Sequence, residues 1–167
     1  PALALGRHGL RHRVGAAVEQ SAETVLVEHR DAGRGRVAER RRDHNKLGFA
    51  VQLCTLRYLG TFLPNPVQVP KVVVQHVAQQ LEVSPEVFLR YALREETRYN
   101  HRRDIVAYLG YKEFDDFQVF RLIRWIYAHL TVSAVRPSVL FDLATAHLLA
   151  QKIVLPGVRV LERFNKR

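Results

Sequence analysis

From Glu39 onward, apolar residues recur at helical spacing. Within residues 43–60, DHNKLGFAVQLCTLRYLG, the positions Leu47, Val51, Cys54 and Tyr58 share one face of the helical repeat. Phe49, Leu53 and Leu56 fall almost opposite. A helix that is apolar on both sides has to be buried between other helices. Asp43 or Asn45 is its expected N-cap and Gly60 its stop.

The proline-rich LPNPVQVP is a loop, and PKVVVQHVAQQLEV is a second helix entered at Pro70. A third helix, SPEVFLRYALR, carries Ser84 at the cap, Pro85 at the first helical position and Glu86 behind it. EETRYNHRRDIVAYLG predicts a helix ending at Gly110. DDFQVFRLIRWIYAHL predicts the next, capped by Asp115 or Asp116, with Val119, Ile123, Ile126, Tyr127 and Leu130 facing inward. RPSVLFDLATAHLLAQ begins another near Pro137, and LPGVRVLERFNKR closes the chain with a short helix after Pro156-Gly157. No segment shows a period-two strand pattern of any strength. The expected fold is all-α: a compact multi-helix domain of about seven short helices joined by brief loops.

Residues 1–37 differ. GRHGLRHRVGAA and DAGRGRV are rich in Arg, Gly, Ala and Val and hold no sustained period. This stretch is expected to be a low-order tail with at most one short helix or strand around residues 16–29. The expected division is therefore a tail over 1–37 and a helical domain over 38–167. The chain starts at Pro1 and contains no Met, so it is either processed after an initiator Met or is a piece of something longer.

Composition narrows the function. The 26 Lys and Arg against 16 Asp and Glu give a net charge of +10, and arginine outnumbers lysine 21 to 5. A basic excess of this size points to a polyanionic partner such as nucleic acid, although a GC-rich coding sequence also inflates Arg. Cys54, the one cysteine, excludes internal disulfides and a cysteine zinc site, fits a reducing cytoplasm, and reads as a small core residue. No apolar run reaches the length of a membrane span.

Candidate chemistry is sparse. HGLRH, with His8, Arg11 and His12, matches the His-x-Leu-Arg-His box with which tyrosine recombinases stabilise a scissile phosphate. No room exists upstream for the second arginine such a site needs, and the box lies in a stretch where so short a match arises by chance. His8 and His12 could also pair on a metal, but no third ligand lies near. Asp43, Asp104, Asp115, Asp116 and Asp142 are the carboxylates a two-metal site would draw on, but Asp115 and Asp116 suit a helix N-terminus, Asp43 and Asp104 follow arginines as partners or caps, and nothing suggests a site. No catalytic or metal-ligating residue is assigned.

Three basic clusters remain. In REETRYNHRRD, Arg94, Arg98, His101 and Arg102 fall within about 100° of one helix face, with Tyr99 and Asn100 alongside and Arg103 adjacent. Arg and Asn are the side chains that read guanine and adenine edges and also reach phosphates. On a later helix Gln118, Arg121, Arg124 and Trp125 lie opposite the expected apolar stripe, where Trp125 could stack on DNA or cover a neighbouring helix. RRRDHNK places Arg41, Arg42 and Lys46 at a helix start, as phosphate contacts.

RRDHNKLGFAVQLCTLRYLGTFL resembles the opening of the N-terminal domain of Tn-three-family transposases, the replicative transposases of bacterial class II transposons. VVVQHVAQQLEV, YALREETRYNHRRDIVAYLGYKEF and LPGVRVLERF follow in the family's order, so the likeness covers roughly 37–163. The resemblance implies a helical module that recognises the transposon's terminal inverted repeats in double-stranded DNA. It also implies that the acidic triad and its divalent metal belong to a much larger C-terminal part. On that reading this chain is a truncated or separately encoded end-binding domain, not an enzyme. It would have no cofactor and no membrane attachment, and would be cytoplasmic and nucleoid-associated when bound to DNA. Residues 1–37 depart from the family's opening helices, as a frameshifted remnant would. The alternatives are a recombinase or nuclease using His8, Arg11 and His12, and a fragment that only pairs with full-length transposase.

Overall fold

A computed structural model describes residues 35–130 and 136–156. The described residues are helical, with α1 at Asp43–Leu59, α2 at Lys71–Gln80, α3 at Phe88–Ala92, α4 at Glu95–Leu109, α5 at Asp116–Leu130 and α6 at Pro137–Ala150. A single helical turn at 35–38 precedes α1, and tight turns at Pro66–Gln68 and Pro85–Val87 lead into α2 and α3. No strand forms among the described residues, so the all-α expectation holds. The expected tail over 1–37 falls largely, and the closing helix after Pro156 wholly, outside the described residues.

Most helix ends follow the signals in the chain. Gly60 (φ 70°) and Gly110 (φ 67°) adopt the left-handed conformation that stops α1 and α4. The Asp115 carboxylate accepts the Gln118 N–H at 2.9 Å, capping α5. The start of α1 differs from expectation. Arg42, extended at φ −125° and ψ 140°, is the flanking residue, and its carbonyl accepts from Asn45 and Lys46. Asp43 is already inside the first turn and makes no cap bond; its charge there still favours the helix N-terminus. Ser84 holds the predicted cap position, but its hydroxyl makes no capping bond. The chain signals no stop for α2 or α6. Both end through a non-glycine residue with positive φ, Glu82 (55°) and Lys152 (51°). In each case the next N–H reaches back five residues, Val83 to Ala78 and Ile153 to Leu148.

The described residues gather into two compact units, with the division falling inside α4 after Ile105. In the unit through Ile105, α1 packs against α3 and α2. Its buried face is almost continuous: Leu47, Gly48, Phe49, Ala50, Val51, Leu53 and Leu56. Val74, Val77 and Ala78 come from α2, Phe88 and Tyr91 from α3, and His101 and Ile105 from α4. Gly48 explains how a helix so apolar can approach so closely. A methyl group added there would overlap the Tyr91 ring, which is itself fully buried.

In the unit from Val106 onward, α5 packs on α6. Leu122, Ala144, Leu148 and Ile153 form the core, surrounded by Phe114, Trp125, Ile126, Phe141 and Leu155. Lys112 and Ile153 pair side by side in parallel, tying the segment before α5 to the segment after α6 through bonds of 2.8 and 2.9 Å. The inward stripe of α5 is rotated from the expected one. Gln118 and Leu122 are buried and Trp125 and Ile126 half-buried, whereas Ile123 and Tyr127 are exposed. Val119 is half-buried, and the Leu130 side chain falls outside the description. The helix offers two apolar stripes, and contact of Leu122 with α6 selects one.

Replacing Gly48 with Ala should destabilise the protein by about 3 kcal/mol, because the ring facing it has no room to withdraw. Urea unfolding of Gly48→Ala beside the parent chain measures the shift in midpoint.

Candidate nucleic-acid interface

The packing of α4 sorts the expected basic face into an inner and an outer part. His101 is buried, its ring edge-on to Phe49 (centroids 5.2 Å, 82°) and stacked on Tyr91 (5.5 Å, 22°). Its Nδ1 lies 3.2 Å from the Tyr91 hydroxyl. His101 is thus a core residue and not part of an open face, which corrects its expected position. Arg98 is half-buried beside it and bonds to Glu95 at 3.4 Å. Arg102 lies with its guanidinium 4.9 Å above the Phe62 ring. Tyr99, Asn100 and Arg103 remain exposed on the outer side of α4.

Arg40, just ahead of α1, is turned the same way as His101. It bonds Asp104 at 2.9 Å and stacks over Phe49 at 4.4 Å. Burial first, and then the Arg40 charge, push the His101 pKa down to about 4, with Asp104 acting in the opposite direction. Burial also pushes the Tyr91 hydroxyl well above its ordinary range, so the ring pair is neutral at physiological pH. Cys54 is pushed up to about 11 by burial, which leaves it protonated and a poor nucleophile.

At the head of α1, Lys46 is paired with Asp43 at 3.4 Å, while Arg41 and Arg42 are exposed. The contact of Gly48 with Tyr91 brings this end of α1 to α3. His44 lies one turn before Gly48, and Arg90 and Arg94 flank Tyr91. The His44 pKa is lowered by burial and then by Arg94, Arg42 and Arg90, against a weaker opposing effect of Asp43. Arg41, Arg42, Arg90, Arg94 and Arg103 have no carboxylate partner among the described residues. Arg90 and His44 join this surface only through the fold; one sits in an apolar helix pattern and the other reads as part of a cap.

The third cluster also divides. Gln118 is buried, and Trp125 packs on the core of the second unit, stacked on His147 at 4.5 Å and 19°. Its position is that of a helix cover. Arg121 and Arg124 are exposed and lie over the rings of Phe117 (5.9 Å) and Phe120 (6.0 Å), which are themselves exposed. His8, Arg11 and His12 lie outside the described residues.

Three of the five candidate carboxylates have structural work. Asp43 pairs with Lys46, Asp104 with Arg40, and Asp115 caps α5. Among the described residues no three His, Cys, Asp or Glu side chains converge on one point. No described helix is long and apolar enough to cross a membrane.

A family model described as a domain of unknown function, DUF4158, matches residues 30–167. The chain belongs to this family. It corresponds to the N-terminal region of Tn-three-family transposases. It is 47% identical over 129 residues to the transposase for transposon gamma-delta of Escherichia coli (strain K12). It is 32% identical over 127 residues to that of transposon Tn501 of Pseudomonas aeruginosa, and 34% over 135 residues to that of Tn1546 of Enterococcus faecium. Each match covers 76% of this DUF4158 chain and 13% of the relative, so the chain spans a small part of the length of these transposases.

The neutral, buried His101 makes stability pH-dependent. Below 6.5 the unfolded chain binds a proton that the folded chain refuses until about pH 4. Stability present above 6.5 is therefore lost as pH falls toward 4. Thermal melts across this window should show the decline, and His101→Phe, less stable at neutral pH, should flatten it. Trp125→Ala should lower stability by about 2–3 kcal/mol in chemical denaturation, the cost of emptying a half-buried aromatic site.

Proposed function

We propose that this chain is the end-binding module of a Tn-three-family transposase, holding the terminal inverted repeats of the transposon as double-stranded DNA. The observation that carries the reading is the set Arg41, Arg42, Arg90, Arg94 and Arg103, exposed on one compact unit with no carboxylate partner among the described residues. Unpaired surface arginines at this density repel one another and are relieved by a polyanion. Arg103, with Asn100 and Tyr99 beside it on the outer side of α4, suits base edges and sugar-phosphate. Arg41 and Arg42, at the start of α1, suit phosphates, where the helix N-terminus adds to the attraction. Lys46 and Arg102 contribute positive charge from positions already engaged with Asp43 and Phe62. In the second unit Arg121 and Arg124, over exposed phenyl rings, supply a further cationic surface.

These residues hold DNA and do not cut it. Asp43, Asp104 and Asp115 are engaged in ion pairs and a cap, and on this reading the cutting and joining of DNA belongs to the rest of the transposase.

Fluorescence anisotropy of the whole chain tests the reading, with the terminal repeat flanking its gene against a scrambled duplex of equal length. The expected result is at least about hundredfold preference for the repeat, with affinity falling steeply as salt rises. Arg103→Ala should reduce the log–log salt slope by about one. Equal affinity for both duplexes, or insensitivity to salt, would sink the proposal.

A further inference from the structure

Arg42 and His44 belong to the start of α1, and Arg90 and Arg94 to α3 and the residues just after it. Nearly fifty residues of sequence separate the two pairs. The Gly48–Tyr91 contact closes that gap, because His44 stands one turn ahead of Gly48 while Arg90 and Arg94 stand on either side of Tyr91. The same contact brings the start of α1 to the segment that carries Arg90 and Arg94, and Arg42, Arg90 and Arg94 are all exposed with no carboxylate partner among the described residues. The His44 Nε2 is covered and has no hydrogen-bond partner among them.

We propose that Arg42, His44, Arg90 and Arg94 form one composite seat for a phosphodiester group of duplex DNA, in which His44 enters as the imidazolium and couples binding to the uptake of one proton. This rests on the proposed DNA-binding role and adds to it a site and a pH dependence.

The chemistry comes from the charges. In the free protein burial first, and then Arg94, Arg42 and Arg90, disfavour protonation of His44, and Asp43 alone opposes them. No group of α2 or of the Pro85–Val87 turn is among those acting on it. Asp43 is itself held by Lys46, so it does not neutralise the seat. A phosphodiester brings one negative charge among the three arginines and offsets their share of what keeps His44 neutral. The imidazole then takes a proton from solvent, and its positive charge joins those of the three arginines that attract the phosphate. The bound state holds one more proton than the free state, so affinity rises as pH falls through the His range.

The test uses the whole chain and a random-sequence duplex, since a backbone contact does not depend on sequence. Affinity is measured at fixed salt from about pH 8 to about pH 6, for the parent chain, His44→Gln and Arg90→Gln. The parent should bind roughly fivefold more tightly at the acid end on account of this one group, and His44→Gln should lose that increment. Arg90→Gln, an exposed substitution that the fold tolerates, should weaken binding at every pH and reduce the salt slope by about one. If His44→Gln keeps the parent's full pH dependence, or Arg90→Gln keeps its affinity and salt slope, the seat is wrong while DNA binding stands. If the parent binds no duplex at any pH, the DNA-binding reading itself fails and the seat with it.

Discussion

The close approach of Gly48 to the Tyr91 ring is the constraint on which the rest of the first unit depends. It requires a residue without a Cβ in the middle of α1, at a position where the intrinsic helix preference is against glycine. The side chains around it form a fixed stack. Tyr91 lies against α1, His101 stacks on Tyr91 and meets Phe49 edge-on, and Arg40 lies over the Phe49 ring while bonding Asp104. Helices α1, α3 and α4 are thereby locked in register by five side chains and one missing methyl group. The same contact brings the start of α1 with His44 to the segment of Arg90 and Arg94, so this grouping of positive charge is a consequence of how the core is packed.

That arrangement divides the arginines into two kinds. Arg40, Arg98 and Arg102 are engaged with Asp104, Glu95 and the Phe62 ring. Arg41, Arg42, Arg90, Arg94 and Arg103 face outward without a carboxylate partner among the described residues. The run Arg40-Arg41-Arg42 shows how finely this is drawn, since adjacent identical residues serve the core and the surface. A net charge therefore overstates the charge offered to a partner. What matters for binding is which guanidinium groups lack an internal carboxylate or ring.

Much of the architecture was legible in the chain. Gly60 and Gly110 ended their helices, Asp115 capped α5, and the two-sided apolar pattern of α1 announced a buried helix. The misreadings share a physical cause. Helical periodicity gives the angular position of a side chain but not which neighbour it meets. His101 lies on the same stripe as Arg94 and Arg98, and only the depth of the α1 contact shows that the stripe runs from solvent into the core. On α5, two apolar stripes competed, and Leu122 meeting Ala144 and Leu148 decided between them, burying Gln118 and drawing Trp125 inward. Helices α2 and α6 ended on Glu82 and Lys152, residues that carry no stop signal because the left-handed turn is held by backbone bonds across it.

The sequence by itself determined the helical class, most helix limits, the positive charge and, through DHNKLGFAVQLC, the transposase family. These are local properties, set by spacing, caps and the identity of consecutive residues. The tertiary structure alone decided what the polar half of that run does. Asp43 became a first-turn partner of Lys46, and His44 came under the charge of Arg90 and Arg94 from far along the chain as well as of its neighbour Arg42. Electrostatic surroundings depend on distances in space, and those distances were fixed when Tyr91 closed on Gly48.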